Sequence, residues 1–442
     1  MPSEAFRQAR RVARKLSAAG HTAWLAGGCV RDALLGKEPK DYDIATDATP
    51  EAVLQVFPKG RTVGAHFGVI LVKAGDFDFE VATFRTDGDY LDGRRPETVT
   101  FASAEEDAQR RDFTINGMFQ EPESLEVIDY VGGQEDLTAG RLRAVGEAAR
   151  RFAEDRLRLL RAVRFASRLG FEIEPRTWDA LAAQADRITE ISPERIREEL
   201  DQILVSPERL RGFDLLVQSG LMAAILPEII ALQGCEQPPQ WHPEGDVFVH
   251  TRLMLKMLPP QASRELVWAV LLHDIAKPAA RTVDADGRIR FNGHDSLGAD
   301  LAVAILQRLK HSNQVIEDVR EMVARHMQFM HVQDMRVAKL KRFMARPTFA
   351  EEMELHRVDC TSSNGLTDNY QFLQAKEAEF AREPLIPPPL VTGHDLLARG
   401  CAPGPEIGRI LEEIQNLQLE GSLETREGAL AALDRLLPQP NS

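Results

Sequence analysis

The segment LAGGCVRDALLGKEPKDYDIATDATPE (25–51) constrains the fold of this 442-residue chain more than any other. AWLAGGCVRDALLG reads as strand, glycine turn and helix. KDYDIATDATPEAVLQVF reads as a second strand, a turn, and a helix opened by Thr49 as N-cap and Pro50 at the first helical position. On a strand, residues two apart face the same way. Asp41 and Asp43 therefore project two carboxylates to one side, with Cα atoms roughly 6–7 Å apart. Two such carboxylates suit a pair of Mg2+ ions about 3.5–4 Å apart, the geometry of in-line nucleotidyl transfer. Gly27 and Gly28 let backbone approach a ligand closely. The helix that follows offers free N–H groups to phosphate, and Arg31 adds a bidentate donor.

Alternation in RTVGAHFGVILVKAG (61–75) and DFDFEVATFR (76–85) predicts paired strands about a Gly-Asp turn. Glu80 in the second is a candidate third metal ligand or general base. Residues 1–140 thus read as an α/β head. The pattern then turns helical, most strongly in RLRLLRAVRFASRLGF (156–171), giving a neck and body over 141–240 that ends at Pro238-Pro239 and Pro243. A histidine-bearing helical region covers 245–365. A helical tail, 366–442, contains the proline linker PLIPPP (384–389).

No run of about 18 apolar residues occurs, so no membrane span is expected. The N-terminal MPSEAFRQARRVARKL lacks the apolar core and cleavage site of a secretory signal. Cys29, Cys235, Cys360 and Cys401 form no CxxC pair, which argues against a zinc ribbon or a disulfide framework. A cytoplasmic location is the expectation. The net charge of −14 opposes a broad nucleic-acid surface, yet residues 141–176 hold ten Arg and no Lys against five acids. Such a basic strip can hold RNA phosphates at one surface.

These segments carry a family resemblance. Residues 25–51 resemble the head motif of the class II tRNA nucleotidyltransferases and bacterial poly(A) polymerases. RRDFTINGM (110–118) resembles their second motif, EDRLRLLRAVRFASRLGF (154–171) their nucleotide-selecting helix, and ISPERIREEL (191–200) the motif after it. The motifs occur in family order across roughly residues 22–230. The resemblance implies a polymerase-beta-like head followed by an all-α neck and body. It also implies Mg2+-dependent, template-independent addition of CMP, CMP and AMP, from CTP and ATP, to the tRNA 3′ end. Asp41 and Asp43 would be the catalytic metal ligands, Arg111 would contact the triphosphate, and Asp112 and Asn116 would fix the ribose. RTDGDYLDGRRP (85–96) resembles the flexible loop used in adenosine addition, and RTVGAHFGVI (61–70) the tRNA-adding branch. A-only addition and poly(A) synthesis stay open as alternatives.

Within the selecting helix, Asp155, Arg158, Arg161 and Arg164 recur at steps of three and so share one side of a continuous helix. Asp155 would accept from an exocyclic amino group while Arg158 donates to a ring nitrogen. Cytosine and adenine both present that amino edge. Uracil and guanine present a carbonyl, which a carboxylate repels.

A second resemblance lies downstream. WAVLLHDIAK ends an apolar helix on His273-Asp274, with His250 before it and His294, His326 and Asp359 after it. The set resembles the HD phosphohydrolases and implies a second divalent-metal centre activating water against a phosphoester. Imidazole with carboxylate suits Mg, Mn, Ni or Fe rather than a closed zinc site. Asp295 and His394 belong to similar HD pairs that do not end such a helix, and they are not expected to be ligands. The sequence leaves open a degenerate domain that only packs and binds RNA, and equally a chain whose main activity is that of an HD phosphatase or phosphodiesterase on RNA. No protein partner is evident.

Overall fold

Local chemistry starts each element. In the computed structural model, Ser3 caps the first helix, Glu4–Ala18, by accepting from the Phe6 N–H, and Glu4 lies in its first turn. Ala9, Val12, Ala13 and Leu16 recur at helical spacing and make its buried stripe. Thr49 caps Pro50–Val56 as expected, accepting from the Ala52 N–H. The structure describes residues 3–63, 68–88, 99–381 and 384–437. Part of RTVGAHFGVI and residues 89–96 of the loop read as adenosine-related lie outside them.

The head is built on a mixed seven-stranded sheet. Its strands come in the order β3-β4-β5-β2-β1-β8-β9. They are β1 (Ala23–Ala26), β2 (Asp43–Thr46), β3 (Arg61–Thr62), β4 (Val69–Ala74), β5 (Phe77–Thr83), β8 (Phe119–Gln120) and β9 (Val127–Ile128); β6 (Arg85–Asp87) and β7 (Val99–Phe101) pair separately. β4 and β5 form the antiparallel pair expected around Gly75-Asp76. Two registers place the site. β1 runs antiparallel to β2 with Ala26 opposite Asp43, so the Gly27 turn emerges beside that carboxylate. β2 runs parallel to β5 with Ile44 opposite Val81, which brings Glu80 alongside Asp43. Leu25, Ile44, Ile70, Val72, Phe79 and Val81 are at most 2% exposed and anchor the sheet in the core.

One compact unit runs to Ile230 and takes in Arg308–Lys310. After the sheet it is helical, with Leu157–Leu169, Pro193–Leu204 and Arg209–Gln218 packing through Leu160, Val163, Ile203 and Phe213. The expected single helix through 154–164 is broken. One helix ends at Glu154, Asp155 is extended at φ −137° and ψ 104°, and the next helix begins at Leu157. The reason is local: Asp155 Oδ1 accepts from the Leu157 N–H at 3.1 Å, and such a short-range cap competes with helix continuation.

The second unit comprises Ala231–Gln307 and the chain from His311 onward, and is almost entirely helical. Its centre is Arg264–Leu272, with Leu266 to Leu272 all buried. Val247–Met257, His294–Arg308, Asn313–Arg325 and Phe349–Ser362 belong to the same unit. A separate cluster of Val391, Leu396, Ile410, Ile414, Ala429 and Leu433 forms the core of the tail. Among the described residues, no helix is long and apolar enough to cross a membrane.

Candidate active sites

In the head, Asp41 precedes β2 and Asp43 is its first residue. The alternation still holds, because Tyr42 between them is 6% exposed while both aspartates face out. Although the Asp43 side chain is open to solvent on its outer side, the protein packed around the carboxyl desolvates it and pushes it up to about 6, with the Glu80 and Asp41 carboxylates adding to the effect and Arg111 opposing it. A group of hard oxygen donors that resists ionisation without a counter-charge fits a divalent cation such as Mg2+.

Arg111 reaches this point because Gly27 has no side chain. Gly27 lies at φ +71°, and a Cβ there would fall 2.9 Å from Arg111 Nη1. Arg111 is held by Asp107 Oδ2, which accepts from Nε and Nη2 at 3.1 Å, and by the Asn116 carbonyl at 3.1 Å. Sequence reading missed Asp107, although its spacing to Arg110 and Arg111 is that of helical ion pairs. Gly27→Ala combines positive-φ backbone strain of about 1–3 kcal/mol, at φ +71° and ψ −124°, with displacement of Arg111. The expected result is a KM for nucleoside triphosphate raised roughly tenfold with a smaller change in kcat, read by steady-state incorporation.

A continuous polar chain leads from the glycine turn to the helical half. Arg31, 5% exposed, donates through Nη1 to Asn116 Oδ1 at 2.6 Å and through Nε to Asp32 at 2.8 Å. Asn116 Nδ2 donates to Asp112 Oδ1 at 3.2 Å, and Arg161 Nε donates to Asp112 Oδ2 at 2.8 Å. Burial alone would raise the Asp112 carboxyl, but the Arg161 guanidinium and its hydrogen bond, with Arg158, hold it at about 2 against an ordinary 3.8. Because the folded value is the lower one, ionised Asp112 stabilises the fold above about pH 4 by roughly 2 kcal/mol. That contribution disappears as pH falls from 4 towards 2. Asp112→Asn should flatten the acid limb of stability against pH in that window, measured by urea unfolding.

Of the four residues expected along one helix side, Arg158, Arg161 and Arg164 share the helix Leu157–Leu169 and Asp155 lies outside it. Asp155 sits at the junction, with Arg195 Nη2 3.4 Å from its Oδ2. Arg158 is 8% exposed and donates to Glu154 Oε2 at 3.0 Å and to the Arg151 and Arg110 carbonyls. Arg161 turns to Asp112. Arg164 is buried against Glu199 Oε2 at 2.6 Å, with its guanidinium 4.4 Å from the Phe165 ring centroid.

In the second unit, His250, His273, Asp274, His294, His326 and Asp359 converge. His273, His294 and His326 each donate from Nδ1 to a main-chain carbonyl three residues back, of Val270, Phe291 and Val323. That protonates Nδ1 and turns Nε2 of each ring toward the cluster. The Nε2 atoms of His294 and His326 lie 3.1 Å apart. Burial and neighbouring His273 push His326 down to about 4, so its ring is neutral and its Nε2 presents a lone pair.

Asp274 Oδ2 lies 3.0 Å from His273 Nε2, and Oδ1 lies 3.3 Å from His294 Nε2. Asp359 Oδ1 lies 3.1 Å from His250 Nε2. Yet the Nε2 atoms of His250 and His273 are buried without a hydrogen bond. Ligand atoms about 2.1 Å from one ion stand about 3 Å apart and face the ion rather than each other, so this donor set fits a metal. Two groups, His250/His273/Asp274 and Asp274/His294/His326, share Asp274. Burial would raise Asp274, but His273 and Lys277 hold it well below the usual carboxylate range. The centre opens on a cavity of about 960 Å3 whose lining includes Trp241, His242 and Lys277. Sequence reading missed His242, Glu244 and Lys277. Asp295 and His394 join none of the clustered ligand groups among the described residues.

Comparison with known proteins places this geometry in context. Residues 23–143 match the poly A polymerase head domain, 170–232 the probable RNA and SrmB-binding site of polymerase A, and 296–433 the putative tRNA nucleotidyltransferase domain 2. The last match begins inside the stretch read as HD-like and runs into the tail. The CCA-adding enzyme of Enterococcus faecalis is 34% identical over 440 residues, covering 97% of this chain and 95% of the relative. The crystal structure of the Bacillus stearothermophilus CCA-adding enzyme in complex with CTP superposes with a TM-score of 0.75 at 27% identity, over 98% of each chain. A Thermotoga maritima CCA-adding enzyme complexed with tRNA(CCA) shares the fold, with a TM-score of 0.64 at 19% identity over 98% of this chain and 96% of that one.

Proposed function

The chain belongs to the CCA-adding enzymes, and from that premise we propose that it adds CMP, CMP and AMP, from CTP and ATP, to the 3′ end of tRNA. The observation that carries this reading is the Asp43 carboxyl flanked by Asp41 and Glu80 and faced by Arg111 at the Gly27 turn. In the reaction, the RNA 3′-hydroxyl attacks the α-phosphorus and diphosphate leaves. Asp41 and Asp43, with Glu80, would hold divalent cations, Mg2+ by the hardness of the oxygen set, which supply Lewis-acid stabilisation and a more acidic hydroxyl. Arg111 and Arg31 bind the triphosphate, and Asp112 with Asn116 orients the ribose. Asp155 offers an acceptor for the amino group shared by cytosine and adenine. Arg158, clamped by Glu154, offers the matching donor, and Arg161 and Arg164 hold Asp112 and Glu199 around it. A cytoplasmic location accords with a tRNA substrate.

The test supplies tRNA ending before CC, tRNA ending after CC, and unstructured RNA, each with CTP or ATP. Ordered incorporation of two C and one A on the first substrate supports the reading. Use of ATP alone on the second points to A-only addition, and extension of the third to poly(A) synthesis. Inability to use CTP sinks CCA addition.

A second reading concerns the histidine centre. The convergence of the His273, His294 and His326 Nε2 atoms on Asp274 favours a divalent-metal phosphohydrolase acting on an RNA phosphoester. His250, His273, Asp274, His294, His326 and Asp359 would hold the ions, which activate water. His273→Ala should abolish metal-stimulated release of phosphate from a 2′-phosphorylated RNA end and spare CTP incorporation. Absence of any such hydrolysis by the parent chain across Mg2+, Mn2+ and Ni2+ removes this reading alone.

A further inference from the structure

The segment QPPQWHPE (237–244) looks in the sequence like a boundary, because of its prolines. In the structure it is a strap against the histidine centre. Pro238, Trp241 and His242 line the cavity. Gln237, 5% exposed, accepts from Lys277 Nζ at 2.6 Å, and the same ammonium lies 2.7 Å from Asp274 Oδ2. At the other end of the strap, Glu244 Oε1 accepts from His250 Nδ1 at 2.7 Å and from His242 Nδ1 at 2.9 Å. The strap therefore grips both the aspartate shared by the two ligand groups and the first histidine.

His250 differs from the other three histidines. Their Nδ1 protons go to main-chain carbonyls, which no side-chain change can remove. The Nδ1 of His250 depends on a side chain, with only Ser362 Oγ also near among the described residues, at 3.4 Å. The Glu244 side chain is 6% exposed, and its Oε2 is buried with no hydrogen-bond partner. A buried carboxylate with one unsatisfied oxygen is costly, and it is retained here facing an imidazole whose other nitrogen lies 3.1 Å from Asp359 Oδ1.

We propose that the strap is the positioning element of the histidine centre and that Glu244 is its determining residue. Glu244 fixes His250 in the tautomer protonated at Nδ1, turns Nε2 toward Asp359, and makes that nitrogen a stronger donor. The proposal rests on the reading of the centre as metal-binding. A carboxylate behind a ligating imidazole fixes the ring and raises its basicity, and its loss typically costs about 10–100-fold in metal affinity.

The test uses the full chain carrying Asp41→Ala and Asp43→Ala, so that the head does not compete for metal, and reads the Mn2+ Kd by electron paramagnetic resonance. Glu244→Met is nearly isosteric and cannot accept a hydrogen bond; its Kd should rise about 10–100-fold. Glu244→Gln keeps an acceptor oxygen and should recover most of that loss. A role in packing alone would lower the melting temperature of the metal-free protein and leave Kd unchanged. Parent-like Mn2+ affinity in Glu244→Met, or equal loss in Met and Gln, overturns the proposal while the metal centre stands. Failure of the parent background to bind Mn2+ overturns the metal-binding reading and the proposal with it.

Discussion

Replacing Asp43 with alanine should lower nucleotide incorporation by at least about 10^3-fold, the loss of roughly 4 kcal/mol of transition-state stabilisation. The size follows from position. Asp43 is the carboxylate around which Asp41, Glu80 and Arg111 are arranged, and no other carboxylate on β2 can take its place. The same variant separates chemistry from folding. A carboxyl held near 6 in the folded chain, against an ordinary 3.8, is a folded-state liability at neutral pH. Its removal should leave the melting temperature in chelator unchanged or higher. Activity within tenfold of the parent, in a correctly folded Asp43→Ala protein, would contradict the assignment of this carboxylate to the reacting centre.

The largest expected stability effect lies elsewhere in the same unit. Glu199→Ala strips the partner from Arg164, whose side chain is 10% exposed and whose pKa burial already lowers. Breaking a buried ion pair from one side costs about 3–5 kcal/mol because the remaining charge stays desolvated. The contrasting variant is Arg164→Met with Glu199→Leu, which removes both charges and keeps volume; it should unfold within about 1 kcal/mol of the parent. Equilibrium denaturation followed at both units distinguishes the cases. A Glu199→Ala protein destabilised by under 1 kcal/mol would mean that water or the Asp112 carboxylate compensates the charge.

These two residues mark what the sequence could and could not reveal. Asp43 was legible because its chemistry is written within 20 residues: a glycine turn, an arginine and an acidic pair on alternating positions. Glu199 is 35 residues from Arg164, and nothing local distinguishes it from other acids of PERIREEL. Glu80 could be suspected, but its place beside Asp43 depends on β5 pairing parallel to β2, a non-local register. The break at Asp155 was missed for a different reason. Steps of three in Asp155, Arg158, Arg161 and Arg164 satisfy a helix pattern whether or not the first member caps the helix. The ligands of the histidine centre stood out by residue type. The strap did not, since a proline-rich stretch has no periodicity and reads as a linker.

The chain of hydrogen bonds from Arg31 through Asn116 and Asp112 to Arg161 has an energetic corollary. Groups proposed to grip the phosphate end of the nucleotide and those beside the base-reading edge are wired in series, each link setting the orientation of the next. Free energies lost on cutting two links should then fall short of their sum. A thermodynamic cycle across Arg31 and Arg161, which also both lie over the Phe165 ring at 5.3 and 5.2 Å from its centroid, would measure how far grip at one end of the nucleotide is felt at the other.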